Sequence, residues 1–421
     1  MIVFHKNYII SSYFEASIVD SSKNIELLPF GHSRHFPIKF GLVDKQICAG
    51  ELNFFNTVFY KNFKENNFVN PDKCILEQNK VTDKLIVLNC LDNCFGHALL
   101  KLFYSINYIQ KQDNLFDFLI IIPKALSHFI KKKAGVNCLI IDYSFSQIQE
   151  CFVLNNEIDK IAGQYNDVFI DSVETYDSFD KAILIENLNL LKNDSAVSPV
   201  KDKIIFYYRS DYFRMWNGKS QLKNCVALFS FLKKFVDERV QFYVVGDLDK
   251  QQFPGWITDN RIAKFNRDVD FKNNQLFDTS LICIGLTGSH MLFPSLFSEC
   301  TVHLHPAHKY KNMTEDTVVK KNTNEMFSAY QHLYYFGNYN CSDLKPQQLG
   351  RLILFHYQGL VEKKYKLLVR ENVSQKDWIN KYYPFLNLVE INAYRQLFNA
   401  KEAKKNRVKY YLDKIFGEWA L

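Results

Sequence analysis

Three short stretches of this 421-residue chain hold side chains whose types and spacing can do chemistry. In "LNCLDNCFGHALLKLF" an apolar run gives way to Asp92 and Asn93, and His97 opens a helically spaced segment. An imidazole titrating near neutrality can take a proton from a hydroxyl there, with the Asp92 carboxylate as the reserve base. A capping or core-edge histidine produces the same pattern. In "IIFYYRSDYFRMWNGK" Arg209 and Arg214 follow directly on an apolar run. Guanidinium groups at a strand end bind phosphate oxygens bidentately, or bridge to an acid such as Asp211. In "LICIGLTGSHMLF" Gly285 ends a strand-like run, and Thr287, Gly288, Ser289 and His290 precede Met291, Leu292 and Phe293. A helix opening at Thr287 to Ser289 turns its amides and positive dipole end toward an anion. Gly288 admits a close backbone approach, while Thr287, Ser289 and His290 add donors. A capped strand-to-helix turn is the plain alternative.

The elements that must position these groups alternate between strand and helix. Strands are expected at Lys84–Asn89, Asp117–Pro123 and Asn137–Asp142, with a helix over Gly96–Gln110. The polar segment Leu191–Lys203 reads as a linker, and the pattern then restarts. Its second half has strands at Lys203–Arg209, Val240–Asp247, Arg261–Phe265, Leu281–Ile284 and Thr301–Pro306, and helices over Leu222–Val236 and near Phe271–Phe277. Strand-helix-strand order implies parallel sheets covered on both faces, with ligands at the carboxyl ends of the strands. All three stretches fall at such ends.

Other signals compete. "HLHPAH" puts His303 and His305 on one strand face with His308 beyond, as a zinc site requires, but no nearby carboxylate or cysteine completes the set, which leaves His290 as the remaining ligand. "GDLD" (Asp247, Asp249) and "DVD" (Asp268, Asp270) have the Asp-x-Asp spacing that can carry a divalent ion. In the tail, Val408, Leu412, Ile415 and Trp419 form one helical stripe after a basic cluster at Lys401, Lys404, Lys405, Arg407 and Lys409. That suits either packing or an anionic membrane surface. The composition, 47% hydrophobic and 23% charged, is that of a globular chain, and the length suggests two domains of about 200 residues. A formal charge of +7 suits anionic ligands without the concentrated basic stripe of a nucleic-acid binder. Ten cysteines without a CxxC pair, and an N-terminus unlike a signal peptide, point to free thiols in a reducing, cytoplasmic setting.

"NCFGHALLKLF" resembles the Asn-x-x-x-His-x-x-Leu element of the glycosyltransferase family that includes plant xylan arabinosyl- and xylosyltransferases and the animal O-GlcNAc transferase of EGF domains. "YYRS" resembles its arginine strand, and "NNQLFDTSLICIGLTGSHMLF" its Gln-containing helix followed by an "IG-x-HGAG-L-x-N" turn. His97, Arg209, Gln275, Gly285, Gly288 and Ser289 match. The family's turn histidine is Thr287 here, its second turn glycine is His290, and the glutamate of its next strand is His303. The likeness covers roughly half the chain through short motifs, and extends equally to a sister family of the same architecture.

The resemblance implies an α/β fold of GT-B type, two facing Rossmann-like doubly wound domains with a cleft between them. Residues 1–195 would receive the acceptor, residues 196–387 the nucleotide sugar, and residues 388–421 would form a helix packing back on the first domain. It implies inverting sugar transfer to a hydroxyl of a glycan or lipid-linked glycan, with no cofactor beyond the nucleotide-sugar substrate, no metal and no nucleic-acid partner. His97 is the expected base, with Asp92 in reserve. Arg209, Arg214, Gln275, Gly285, Thr287, Gly288, Ser289 and His290 are the expected donor-binding set. The rival reading is a non-catalytic α/β module that binds an anionic polymer.

Overall fold

In a computed structural model the chain divides into two compact units, Met1–Leu190 and Leu191–Leu421, five residues before the division expected at 195/196. The structure describes residues 2–3, 8–11, 15–21, 24–29, 38–41, 46–52, 54–65, 67–69, 74–112, 115–143, 145, 151–152, 154–171, 173, 178–191, 200–210, 215–216, 220–264, 266–306, 318–320, 330–335 and 344–362. Arg214, Asp211, His308 and the expected C-terminal helix over 388–421 lie outside these residues.

The first unit is built on four parallel strands, Lys84–Asn89 (β1), Asp117–Pro123 (β2), Val136–Ile141 (β3) and Asp167–Ile170 (β4). β1 and β2 are buried almost throughout, which is why "LIVLN" and "DFLIIIP" read as unbroken runs rather than alternating ones. In space the order is β3-β2-β1-β4, closed at the edges by antiparallel pairing with Cys74–Glu77 and Ile2–Val3. β1 is therefore flanked by β2 on one side and β4 on the other. The strand order thus reverses at β1, and in doubly wound sheets ligands are taken at the carboxyl end of such a strand. After β1 comes helix α1, Phe95–Lys111, which buries Leu99, Leu102, Phe103 and Ile106 at helical spacing.

This unit also carries a second sheet that the sequence reading did not foresee. Strands Tyr8–Ile10, Glu15–Ser21, Asn24–Pro29, Ile38–Gly41 and Ile47–Gly50 pair antiparallel in chain order. The region thus adds a meander to the Rossmann-like sheet. Neighbouring antiparallel strands need no crossover helix to connect them, so no helical period announces them.

The second unit has six parallel strands: Lys203–Tyr208 (β5), Gln241–Asp247 (β6), Thr258–Ile262 (β7), Ser280–Leu286 (β8), Cys300–Pro306 (β9) and Tyr330–Tyr335 (β10). Their order, β7-β6-β5-β8-β9-β10, is that of the doubly wound dinucleotide-binding fold, with its reversal between β5 and β8. Helices Gln221–Leu232 (α2), Arg267–Asp278 (α3), Leu292–Phe297 (α4) and Pro346–Glu362 (α5) cover it. The core gathers Ile204, Phe206, Val244, Ile282 and Ile284 with Trp216, Leu228, Phe229, Leu349 and Ile353. β7 begins three residues before the run expected at Arg261–Phe265. It is the edge strand with an exposed start, so Thr258, Asp259 and Asn260 pair without an apolar pattern. No helix among the described residues is long and apolar enough to cross a membrane.

Candidate active site

In the first unit the chemistry stands in the turn from β1 to α1, at the reversal point of the sheet. Asn89, the last residue of β1, is buried, and its amide donates to Glu15 Oε1 at 2.6 Å and to the Ser11 carbonyl at 3.2 Å. Its own oxygen accepts from the Leu91 amide, which turns the chain off the strand. Asp92 then closes an Asx turn, with Oδ1 accepting from the Cys94 amide at 3.0 Å. The Tyr143 hydroxyl, from just beyond β3, donates to the Asp92 carbonyl at 2.6 Å and accepts from its amide at 3.2 Å.

The Asp92 carboxylate is gripped from one face of α1. His97 Nδ1 stands 3.3 Å from Oδ1, and Lys101 Nζ stands 3.3 Å from Oδ2 while donating to the Leu91 carbonyl at 2.7 Å. His97 and Lys101 are one helical turn apart, so both reach the same group. Burial alone would push the Asp92 carboxyl up. The Lys101 ammonium, His97 and the Cys94 amide outweigh it and hold the carboxyl well below the usual carboxylate range. The carboxylate is thus held ionised beside His97. The acid stands beside Nδ1 rather than Nε2. The side chain of His97 is 24% exposed although Nδ1 itself is buried. Lys101, Tyr143, Glu15 and Asn89 were missed in the sequence. Lys101 alone left a signal there, a charge four residues after His97 on an otherwise apolar helix face.

In the second unit, Arg209 follows β5 and Asp247 ends β6. Arg209 Nε donates to Asp247 Oδ2 at 3.0 Å, and the same oxygen accepts from the Ser210 amide at 2.9 Å and hydroxyl at 3.1 Å. Gly246 makes this approach possible. Its φ is +111°, and a Cβ there would stand 2.0 Å from the Tyr208 carbonyl oxygen. Beside it, Arg261 is fully buried between the rings of Tyr208 and Phe253, and bonds Asp249 Oδ1 at 2.8 Å and Asp259 Oδ2 at 2.9 Å. Burial would raise the Asp249 carboxyl, but bonds from Tyr208, the Gln251 amide and Arg261 hold it below its ordinary value. Both acids of "GDLD" are thus engaged by arginines.

The stretch at the end of β8 departs from the expected helix opening. Ser289–Met291 form a 3-10 turn, and α4 starts only at Leu292 and lasts six residues. Pro294 is the cause, because it has no N–H to donate to the His290 carbonyl and an α-helix cannot include that step. Gly288 has φ 152° and ψ 160°, a region essentially restricted to glycine. The Thr287 amide is engaged by the Leu304 carbonyl at 2.9 Å. Among the described residues no carbonyl or side chain accepts from the Gly288 or Ser289 amides. Two adjacent amides, rather than a helix dipole, are what the turn offers an anion. Thr287 and His290 are buried, with the His290 ring 4.7 Å from that of Tyr207, so Ser289 is the more exposed hydroxyl.

Gly285 lies beneath this turn. A Cβ on it would stand 2.3 Å from Met291 Sδ, which gives the glycine a packing role. Gln275 is exposed in the last turn of α3, five residues before β8 begins at Ser280. It therefore stands toward the amino end of β8, whereas the turn is at the carboxyl end. His303 pairs with Gly285 and is fully buried. No group of three or more His, Cys, Asp or Glu side chains that could hold a metal occurs among the described residues.

The chain matches no protein-family model and no curated protein.

Proposed function

We propose that this protein is a glycosyltransferase that moves a sugar from a nucleotide-sugar donor to a hydroxyl of a glycan or lipid-linked glycan, with inversion. The observation that carries the reading is a shared position. Asp92 and His97 in the first unit, and Arg209 in the second, sit just past the carboxyl end of the first parallel strand, where the strand order reverses, the place at which doubly wound sheets take their ligands.

In this reading the second unit holds the donor and the first supplies the base. The acceptor hydroxyl gives its proton to His97 Nε2 as its oxygen bonds to the anomeric carbon. The bond from that carbon to the phosphate oxygen breaks, and the nucleotide leaves with the electron pair. A single displacement of this kind inverts the carbon. Arg209 and the Gly288 and Ser289 amides meet the negative charge that develops on the leaving group. Asp92 stabilises the imidazolium that forms.

The test is a thermal-shift screen of UDP-, GDP-, CMP- and dTDP-sugars on the purified chain, followed by nucleotide release from whichever binds. Saturation at 100 times the dissociation constant stabilises the fold by about 2.7 kcal/mol. His97→Ala is expected to leave binding intact and lower turnover by about 10²–10⁴-fold, the usual worth of a general base. If no sugar nucleotide binds while an anionic polymer does, the chain is a binding module and the proposal fails.

A further inference from the structure

Asp247 has an oxygen that the donor reading does not use. All three hydrogen bonds to its carboxylate, from Arg209 Nε and from the Ser210 amide and hydroxyl, end on Oδ2. Among the described residues nothing donates to Oδ1. The carboxylate is also fixed from behind. Gly246 brings β6 tightly against Tyr208, and the next amide, Leu248, bonds the Ile262 carbonyl at 2.9 Å. The Arg261 clip on Asp249 secures the residue after that.

We infer that Asp247 Oδ1 accepts a hydrogen bond from a ribose hydroxyl of the donor nucleotide, beside the phosphate held by Arg209. The inference rests on the donor reading and adds the nucleotide's sugar to it. A lone anion is repelled by Asp247, so the pair is ill suited to bare phosphate. A carboxylate acceptor and guanidinium donors, held 3.0 Å apart on neighbouring strand ends, match a ligand that shows hydroxyl donors and phosphate acceptors a few ångströms apart. A 5′-phosphorylated ribose is such a ligand. The position supports it as well, because an acid near the end of the second strand is where doubly wound sheets meet the ribose hydroxyls, while phosphate lies at the first.

Isothermal calorimetry with UDP, GDP, CDP and ADP, each against its 2′-deoxy and 3′-deoxy counterpart, tests this without the hydroxyls of a transferred sugar. The wild-type chain is expected to bind one ribonucleotide about 10- to 150-fold more tightly than at least one of its deoxy forms, the worth of a hydrogen bond to a charged group. Asp247→Ala, which removes the acceptor altogether, is expected to reduce that ratio below about threefold. Should this variant fail to fold by circular dichroism, Asp247→Glu, which displaces the carboxylate by one methylene, must lose the discrimination instead. Equal binding of ribo and deoxy forms by the wild type overturns the Asp247 assignment and leaves the donor reading standing. Discrimination that survives in a folded variant overturns the assignment too. Binding of none of these nucleotides, together with no stabilisation by any of the four classes of sugar nucleotide, sinks both.

Discussion

The Asp92–Lys101 pair is the part of the first site most open to a quantitative check. The side chains of Asp92 and Lys101 are only 5% and 7% exposed. Lys101→Met keeps the apolar stem but leaves a buried carboxylate without its cation, and the Leu91 carbonyl without its donor. Breaking a buried pair from one side costs about 3–5 kcal/mol at neutral pH. Asp92→Asn together with Lys101→Met removes both charges, so the double variant should be less destabilised than the two single losses summed, by about 2 kcal/mol or more. The pH dependence has a definite sign. In the wild type the depressed Asp92 pKa contributes stability present above the unfolded value of about 3.9, and lost only as pH falls through the lower folded value. In Lys101→Met burial dominates and Asp92 takes up a proton at higher pH, so the penalty is greatest near pH 7 and shrinks on acidification. Urea titration followed by hydrogen exchange in α1 reads this locally, without assuming that both units unfold together. Additive single effects within about 0.5 kcal/mol, or a penalty independent of pH, would refute the view that Lys101 holds Asp92 ionised against His97.

Two further perturbations address the second unit. Gly246→Ala places a Cβ against the Tyr208 carbonyl at a φ hostile to side chains, and is expected to cost about 3 kcal/mol or more in chemical denaturation. A loss under 1 kcal/mol would mean that β5 and β6 separate easily there. Gly288→Val forces a β-branched residue into a conformation that costs about 1–3 kcal/mol, and should weaken nucleoside-diphosphate binding far more than binding of the matching nucleoside. Equal loss of both ligands in a variant folded by circular dichroism would show that the turn does not single out phosphate.

The parallel strands were legible because burial on both faces leaves a continuous apolar signature, as in "KLIVLN" and "DFLIIIP". β7, on the sheet edge, lacked that signature, and the antiparallel meander of residues 8–50 went unread. At the sites the residue types were readable, but their relations were not. Asp92 and His97 looked like rival bases because sequence spacing across a turn does not say whether two side chains meet. The structure brings them together, with His97 Nδ1 3.3 Å from Asp92 Oδ1.

Asp247 shows why such relations escape a linear reading. Tyr208 lies opposite Gly246 in the β5–β6 ladder, so one further step sets Arg209 beside Asp247, although 38 residues separate them in the chain. A register shifted by one residue would flip the side chains to the other face and bring Arg209 against a different neighbour. Local spacing in "GDLD" suggested two acids sharing a cation. The register instead gives each acid its own arginine, and among the described residues leaves one oxygen of Asp247 without a donor. Since side-chain positions follow register, the chemistry of "GDLD" is decided by strand pairing, and the candidate ribose acceptor emerges only once β5 and β6 are aligned.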